Sequence, residues 1–310
     1  MRTRRILTII AALVVVGVIA FGAARWLGPG ENPEPPFNPG PSETKAKEPD
    51  WCPAVEVISV PGTWESAKDD DPFAPKANPM SFMLSITQPL QQQYDINNVR
   101  VWTLPYTAQF KNIQTPAGRA EMSYDDSRNE GTERLNAELR FINDTCPSTE
   151  FILAGFSQGA VIVGDIANDI GNHRGVVGPE KVRGAVMIAD GRRENGVGIN
   201  PGNPLGGVGA EIALQPLNRV VQAVVPGATM RGVRDGGFGA LSDRAIEICA
   251  PDDSICDAPQ DVGNALGRAR ELVEANGVHA MYATNPNVIP GTTASQWTVE
   301  WIRESIDSKN

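Results

Sequence analysis

The stretch Phe151-Ile152-Leu153-Ala154-Gly155-Phe156-Ser157-Gln158-Gly159-Ala160-Val161-Ile162-Val163 joins a short apolar run, a G-x-S-x-G pentapeptide and an apolar continuation. It reads as strand, sharp turn and helix. At such a turn the serine takes a strained backbone. The flanking glycines omit the Cβ atoms that would collide as the helix packs back on the strand. The Ser157 hydroxyl is thereby pushed into the open. It also sits near the positive end of the following helix, with the N–H of Gln158 pointing where an oxyanion would develop.

Upstream, Val55 to Val60 is a β-branched run ending in Pro61-Gly62-Thr63-Trp64-Glu65, and residues 99–104 form a second such run. The glycine turn closing the first run is a good place for a second oxyanion N–H. Residues 82–94 are helix-like despite Pro89. Residues 125–144 read as a long amphipathic helix with Leu135, Leu139 and Ile142 at helical spacing, ended by Cys146-Pro147. Downstream come an apolar strand at 182–189, a helix at about 262–276, and a last helix at about 294–306 with Trp297 and Trp301 on one face. Strands alternating with helices imply an α/β fold with a central parallel sheet covered on both faces. Ligands in such sheets bind beyond the carboxyl ends of the strands, where Ser157 lies. The apolar stretch 214–225 suits either a core helix or a flap over the site. Residues 196–209 are glycine-rich but lack the G-x-G-x-x-G order of a dinucleotide site.

Residues 1–5 carry three positive charges and residues 6–24 carry none, a run of 19. Such a run suits an uncleaved membrane anchor, or a signal peptide cleaved near Gly22-Ala23-Ala24. Either places the bulk of the chain outside the plasma membrane, anchored on its outer face or secreted to the cell wall. Residues 29–50 hold seven prolines among 22 residues and read as a semi-stiff spacer. The expected organisation is therefore 1–28 signal anchor or signal peptide, 29–50 linker and 51–310 catalytic domain. A net charge of -10 argues against nucleic acid and against electrostatic docking on anionic lipid. The four cysteines, Cys52, Cys146, Cys249 and Cys256, all lie in the exported part without metal-ligand spacing. Of their three pairings, Cys52 with Cys146 and Cys249 with Cys256 is preferred, because the second closes a compact loop. No metal or organic cofactor is expected, and the protein is expected to be a monomer.

A serine hydroxyl needs a base, and the base an acid partner. Only two histidines exist. His173 stands at the far end of the helix that Ser157 begins, roughly 20 Å or more away, which excludes it. His279 remains. Between serine and histidine in the chain, Asp190, Asp252 and Asp253 are the acid candidates: the first closes a strand, and the other two sit inside the small cysteine loop.

Gly155-Phe156-Ser157-Gln158-Gly159-Ala160 after Cys146-Pro147, with Cys249-Ala250-Pro251-Asp252-Asp253-Ser254-Ile255-Cys256 and a later histidine, resembles the cutinase family. It is most similar to the membrane-anchored, cutinase-like envelope lipases of mycobacteria and corynebacteria. The resemblance spans about residues 52–301 and implies an α/β-hydrolase with about five parallel strands. It implies Asp253 as the acid, four residues after the loop's first cysteine, and Thr63 as the second oxyanion donor beside Gln158. Fungal cutinases carry an arginine and a serine around the turn glycine where this chain has Pro61 and Thr63, so the carry-over concerns the N–H of residue 63. It further implies esterase, lipase, phospholipase A or thioesterase activity on acyl esters of envelope lipids through Ser157, His279 and Asp253. An envelope acyltransferase using the same triad and a non-catalytic envelope binding protein are the alternatives.

Overall fold

Five short runs, almost wholly buried, form one parallel sheet in the computed structural model, which describes residues 47–111, 116–260 and 277–308. They are β1 (Val55–Val60), β2 (Val99–Thr103), β3 (Glu150–Phe156), β4 (Val182–Ile188) and β5 (Ala245–Ile248), in the order β2-β1-β3-β4-β5. The principal helices are α1 (Leu84–Gln93), α2 (Tyr124–Thr145), α3 (Gln158–Gly171), α4 (Asn218–Val224) and α5 (Ala294–Asp307). The chain divides into two units, Met1–Lys47 and Glu48–Asn310, and this architecture is that of the second. The expected membrane segment, the spacer through residue 46 and the helix expected at 262–276 lie outside the described residues. Among the described residues, no helix is long and apolar enough to cross a membrane.

Successive side chains of a strand point to opposite faces, and both faces here are covered. Phe151 and Leu153 of β3 pack with Leu135, Leu139 and Ile142 of α2 and Ile162 and Ile166 of α3. Ile152 and Ala154 pack on the other side with Ile86 and Leu90 of α1 and Val299 and Ile302 of α5. Each fully buried Leu or Ile contributes about 1.5–3 kcal/mol. This burial explains why α1 survives Pro89, which cannot donate a helical hydrogen bond: Ile86 and Leu90 hold the helix to the sheet from either side of it. At the start of α2, the Ser123 hydroxyl accepts the Asp126 N–H at 3.2 Å. Asp125 and Asp126 place negative charge at the helix's positive end.

β5 is an element the sequence pattern does not reveal. It has four residues, and Glu247 interrupts the apolar run. Glu247 is only 2% exposed, and burial, reinforced by the nearby Asp190 charge, pushes its carboxyl up to about 8. The apolar stretch 214–225 is resolved too: Leu214, Val221 and Val225 are buried in a small cluster with Tyr124, Ala228 and Met230. Trp297 and Trp301 do share a face of α5, stacked with ring centroids 6.5 Å apart. Cys52 bonds to Cys146 and Cys249 to Cys256, tying the chain before β1 to the end of α2 and closing the loop after β5.

From β1 the chain steps outward to β2 and then crosses back to β3 on the other side of β1. The strand order thus reverses between β1 and β3, and the crevice of such a sheet opens at their carboxyl ends. Gly62 and Thr63 follow β1 there, and Ser157 follows β3.

Candidate active site

Ser157 has φ 54° and ψ −117°, a left-handed conformation that non-glycine residues adopt at a cost of about 1–3 kcal/mol. The reason the turn closes is visible in its glycines. A Cβ on Gly155 would collide with the backbone of Gly159, and one on Gly159 with the carbonyl oxygen of Val60. The Ser157 N–H donates to the Ile188 carbonyl at 2.8 Å, which pins the elbow to the end of β4.

The Ser157 Oγ lies 2.9 Å from Nε2 of His279, and Nδ1 of His279 lies 2.9 Å from Oδ2 and 3.2 Å from Oδ1 of Asp253. With its proton on Nδ1, the imidazole makes both sets of bonds: it donates to Asp253 and accepts from the serine hydroxyl. The His279 ring stacks on Phe156, with centroids 5.2 Å apart and planes 22° apart. The elbow residue before Ser157 therefore also orients the His279 imidazole. Asp253 is fully buried. The loop closed by Cys249 and Cys256 folds around it: the Ile255 N–H donates to its Oδ1 at 3.0 Å, and its own carbonyl accepts the N–H groups of Cys256 and Asp257.

The other acid candidates are placed elsewhere. Asp190 is buried, but Arg234 holds it through both oxygens at 2.5 and 3.1 Å, and the Arg192 N–H donates to it at 2.9 Å. Asp252 is exposed on the loop. His173 is exposed past the end of α3.

Gln158 is the first residue of α3, so its N–H lacks an acceptor within the helix. Its buried side chain is anchored away from that N–H. The Tyr106 and Ser127 hydroxyls both donate to its Oε1 at 3.1 Å. Thr63 lines the same cleft as Ser157, Gln158 and His279. Its turn is clamped by Glu65, a residue that sequence reading passed over. One Glu65 oxygen accepts the Gly62 N–H at 3.0 Å and the other the Phe82 N–H at 2.6 Å. Burial raises the Glu65 carboxyl above its ordinary value, against the lowering effect of those two N–H groups. The next residue, Trp64, is left-handed at φ 62°, and its N–H donates to Ala108 at 2.6 Å.

The cleft is a cavity of about 160 Å³ whose walls are mainly apolar, with Phe110, Val161, Ala210, Met230 and Ile255 beside the aromatic Phe156. Among the described residues, none of 214–225 lines it; that segment packs behind Tyr124 and Met230, which do. At its polar end the Tyr124 hydroxyl donates to Glu211 at 2.8 Å, and Arg231 pairs with the same carboxylate. Among the described residues, no group of His, Cys, Asp and Glu gathers as metal ligands.

Residues 76–285 match the family model described as Cutinase, a span that takes in the elbow, the disulfide loop and His279. The chain belongs to the cutinase family. It is 58% identical over 310 residues to the carboxylesterase Culp6 homolog of Corynebacterium glutamicum, covering 98% of this chain and 99% of that protein. It is 27% identical to a cutinase of Kineococcus radiotolerans over 174 residues, 56% of this chain and 44% of that one. Among solved structures, an acetylxylan esterase superposes with a TM-score of 0.50 at 14% identity over 82% of this chain and 99% of its own, a likeness of fold. As a member of the cutinase family, this chain is a carboxylic ester hydrolase with a cutinase-like α/β-hydrolase fold.

Proposed function

We propose that Ser157, His279 and Asp253 are the catalytic triad of a serine esterase or lipase that hydrolyses acyl esters of envelope lipids, with phospholipase A or thioesterase character. The observation that carries this is the continuous chain of hydrogen bonds from Ser157 through His279 to Asp253, opening on a mainly apolar cleft that Gln158 and Thr63 also line. His279 removes the Ser157 proton as Oγ attacks the ester carbonyl carbon. The resulting oxyanion takes hydrogen bonds from the Gln158 and Thr63 N–H groups. The imidazolium, steadied by Asp253, returns its proton to the departing alcohol oxygen and leaves an acyl-enzyme. Water, deprotonated by His279, then releases the acid and restores the serine.

The charge-free run at 6–24 supports placement at the outer face of the plasma membrane or in the cell wall, beside lipid esters. The wall of the cleft supports an acyl chain as its guest, because most of it is apolar.

A fluorophosphonate probe tests the triad. The folded, oxidised protein is expected to be labelled and Ser157→Ala not, with hydrolysis of p-nitrophenyl esters, phospholipids or acyl thioesters lost in parallel. Equal labelling of both proteins would refute the assignment of Ser157.

A further inference from the structure

His279 opens a short 3-10 turn, His279–Met281, in which residues three apart eclipse. The side chain of Tyr282 is thus carried to the same side as His279, with the two rings edge to face at 6.2 Å. Its hydroxyl donates to Oδ2 of Asp253 at 2.7 Å, the oxygen that also receives Nδ1 of His279 at 2.9 Å. The same hydroxyl accepts the Ala250 N–H at 2.9 Å, which orients its proton toward the carboxylate and ties it to the start of the disulfide loop.

We infer that Tyr282 is a fourth, positioning member of the site: through its hydroxyl it fixes the Asp253 carboxylate and sets how strongly that carboxylate supports the His279 imidazolium. Tyr282 is 1% exposed, and burial followed by the Asp253 charge raises its hydroxyl well above the ordinary value, so it remains a donor throughout the working range. Asp253 is satisfied with it and deficient without it. Oδ1 takes the Ile255 N–H, and Oδ2 has Tyr282 as its second donor beside the imidazole. A neutral donor on Oδ2 spreads the carboxylate's charge and shares the oxygen with Nδ1–H. Removing it concentrates charge on the atom facing the imidazole and frees the carboxylate to rotate. Among the described residues, charged groups facing this set include Glu65, which interacts with His279, and Arg193, which interacts with Tyr282. Neither has a hydrogen bond to the Asp253 carboxylate among those of the described residues.

Tyr282 has this role only if Ser157, His279 and Asp253 act as proposed above, so the experiment separates the two. Tyr282→Phe deletes one oxygen. It is expected to lower kcat about ten-fold, equivalent to about 1.4 kcal/mol, with KM unchanged. The acidic limb of kcat/KM against pH is expected to move up by about half a pH unit, since a more strongly supported imidazolium keeps its proton longer. A fluorinated tyrosine placed at position 282, whose hydroxyl is a stronger donor of the same reach, is expected to move that limb down. It also decides the matter if the phenylalanine variant does not fold, because it leaves the Ala250 bond in place. Fluorophosphonate labelling of Ser157 in the wild type with unmoved limbs in the variants overturns the role of Tyr282 alone. A wild type that is not labelled overturns the triad, and this role with it.

Discussion

Deleting the two disulfides one at a time is expected to separate stability from turnover. Cys52 and Cys146 are 94 residues apart in sequence, Cys249 and Cys256 only 7. The entropy a crosslink removes from the unfolded chain grows with the logarithm of the loop it closes. The long loop then corresponds to about 4.7 kcal/mol at 25 °C and the short one to about 2.4 kcal/mol. Function is distributed the other way. The short loop surrounds Asp253, whereas the long one fastens the chain before β1 to the far end of α2, at the amino-terminal edge of the sheet. Cys146, Cys249 and Cys256 are fully buried, so alanine is the replacement that adds no buried hydroxyl. Cys52→Ala with Cys146→Ala should therefore lower the free energy of unfolding in urea roughly twice as much as Cys249→Ala with Cys256→Ala. Turnover of a short p-nitrophenyl ester, per folded molecule, should hold in the first double variant. It should fall about ten-fold or more in the second, short of the roughly 10⁴-fold loss seen when a triad acid is disabled outright. Full turnover without the short bridge, or an equal loss without the long one, would refute the claim that the loop holds Asp253 in register.

Two further expectations follow from the cleft and the sheet. A cavity of about 160 Å³ is close to the roughly 150 Å³ that admits a six-carbon guest such as benzene. Across a p-nitrophenyl ester series, kcat/KM should therefore rise about four-fold per methylene, as expected for about 0.8 kcal/mol each, and level off near six carbons. A steady rise through sixteen carbons would show that the chain lies elsewhere. Glu247, with its folded value at about 8 against an ordinary 4.5, binds a proton in the native state that the unfolded chain has already lost between those values. Its contribution is present below about pH 4.5 and is lost as pH rises through 8, by at most about 5 kcal/mol. Glu247→Gln should consequently gain stability relative to wild type between pH 5 and 8.5 in urea titrations. Parallel curves for the two proteins would count against it.

Much of the site was legible because its constraints are local. Gly155 and Gly159 bracket Ser157 within five residues, and the collisions they avoid involve backbone atoms of the turn itself and of the adjoining end of β1. The strands, apart from β5, announce themselves as β-branched or apolar runs, since burial on both faces favours such residues, although β1 also buries Glu56 and Ser59. His279 was reached because the only other histidine stands too far along α3. The acid was less legible. From the residues alone Asp190, Asp252 and Asp253 all remained open, with Asp253 leading because a closed loop would hold it rigidly, and the resemblance to cutinases then singled it out.

What the sequence by itself determined is the elbow, the order of most strands and helices, and the residue types able to carry acyl chemistry. All of these depend on neighbours a few positions apart. The tertiary structure alone decided that Arg234 occupies Asp190, that Glu65 clamps the Gly62 turn to Phe82, and that Tyr282 joins His279 on one oxygen of Asp253. It also decided that Glu247 lies inside a strand. Each of these is a hydrogen bond, an ion pair or a burial set by packing between segments far apart in the chain. A lone polar residue in a sequence carries no mark of which distant partner it will meet. Only closure of the sheet, and the docking of the β5 loop and the His279 turn beside Ser157, brings those partners within reach.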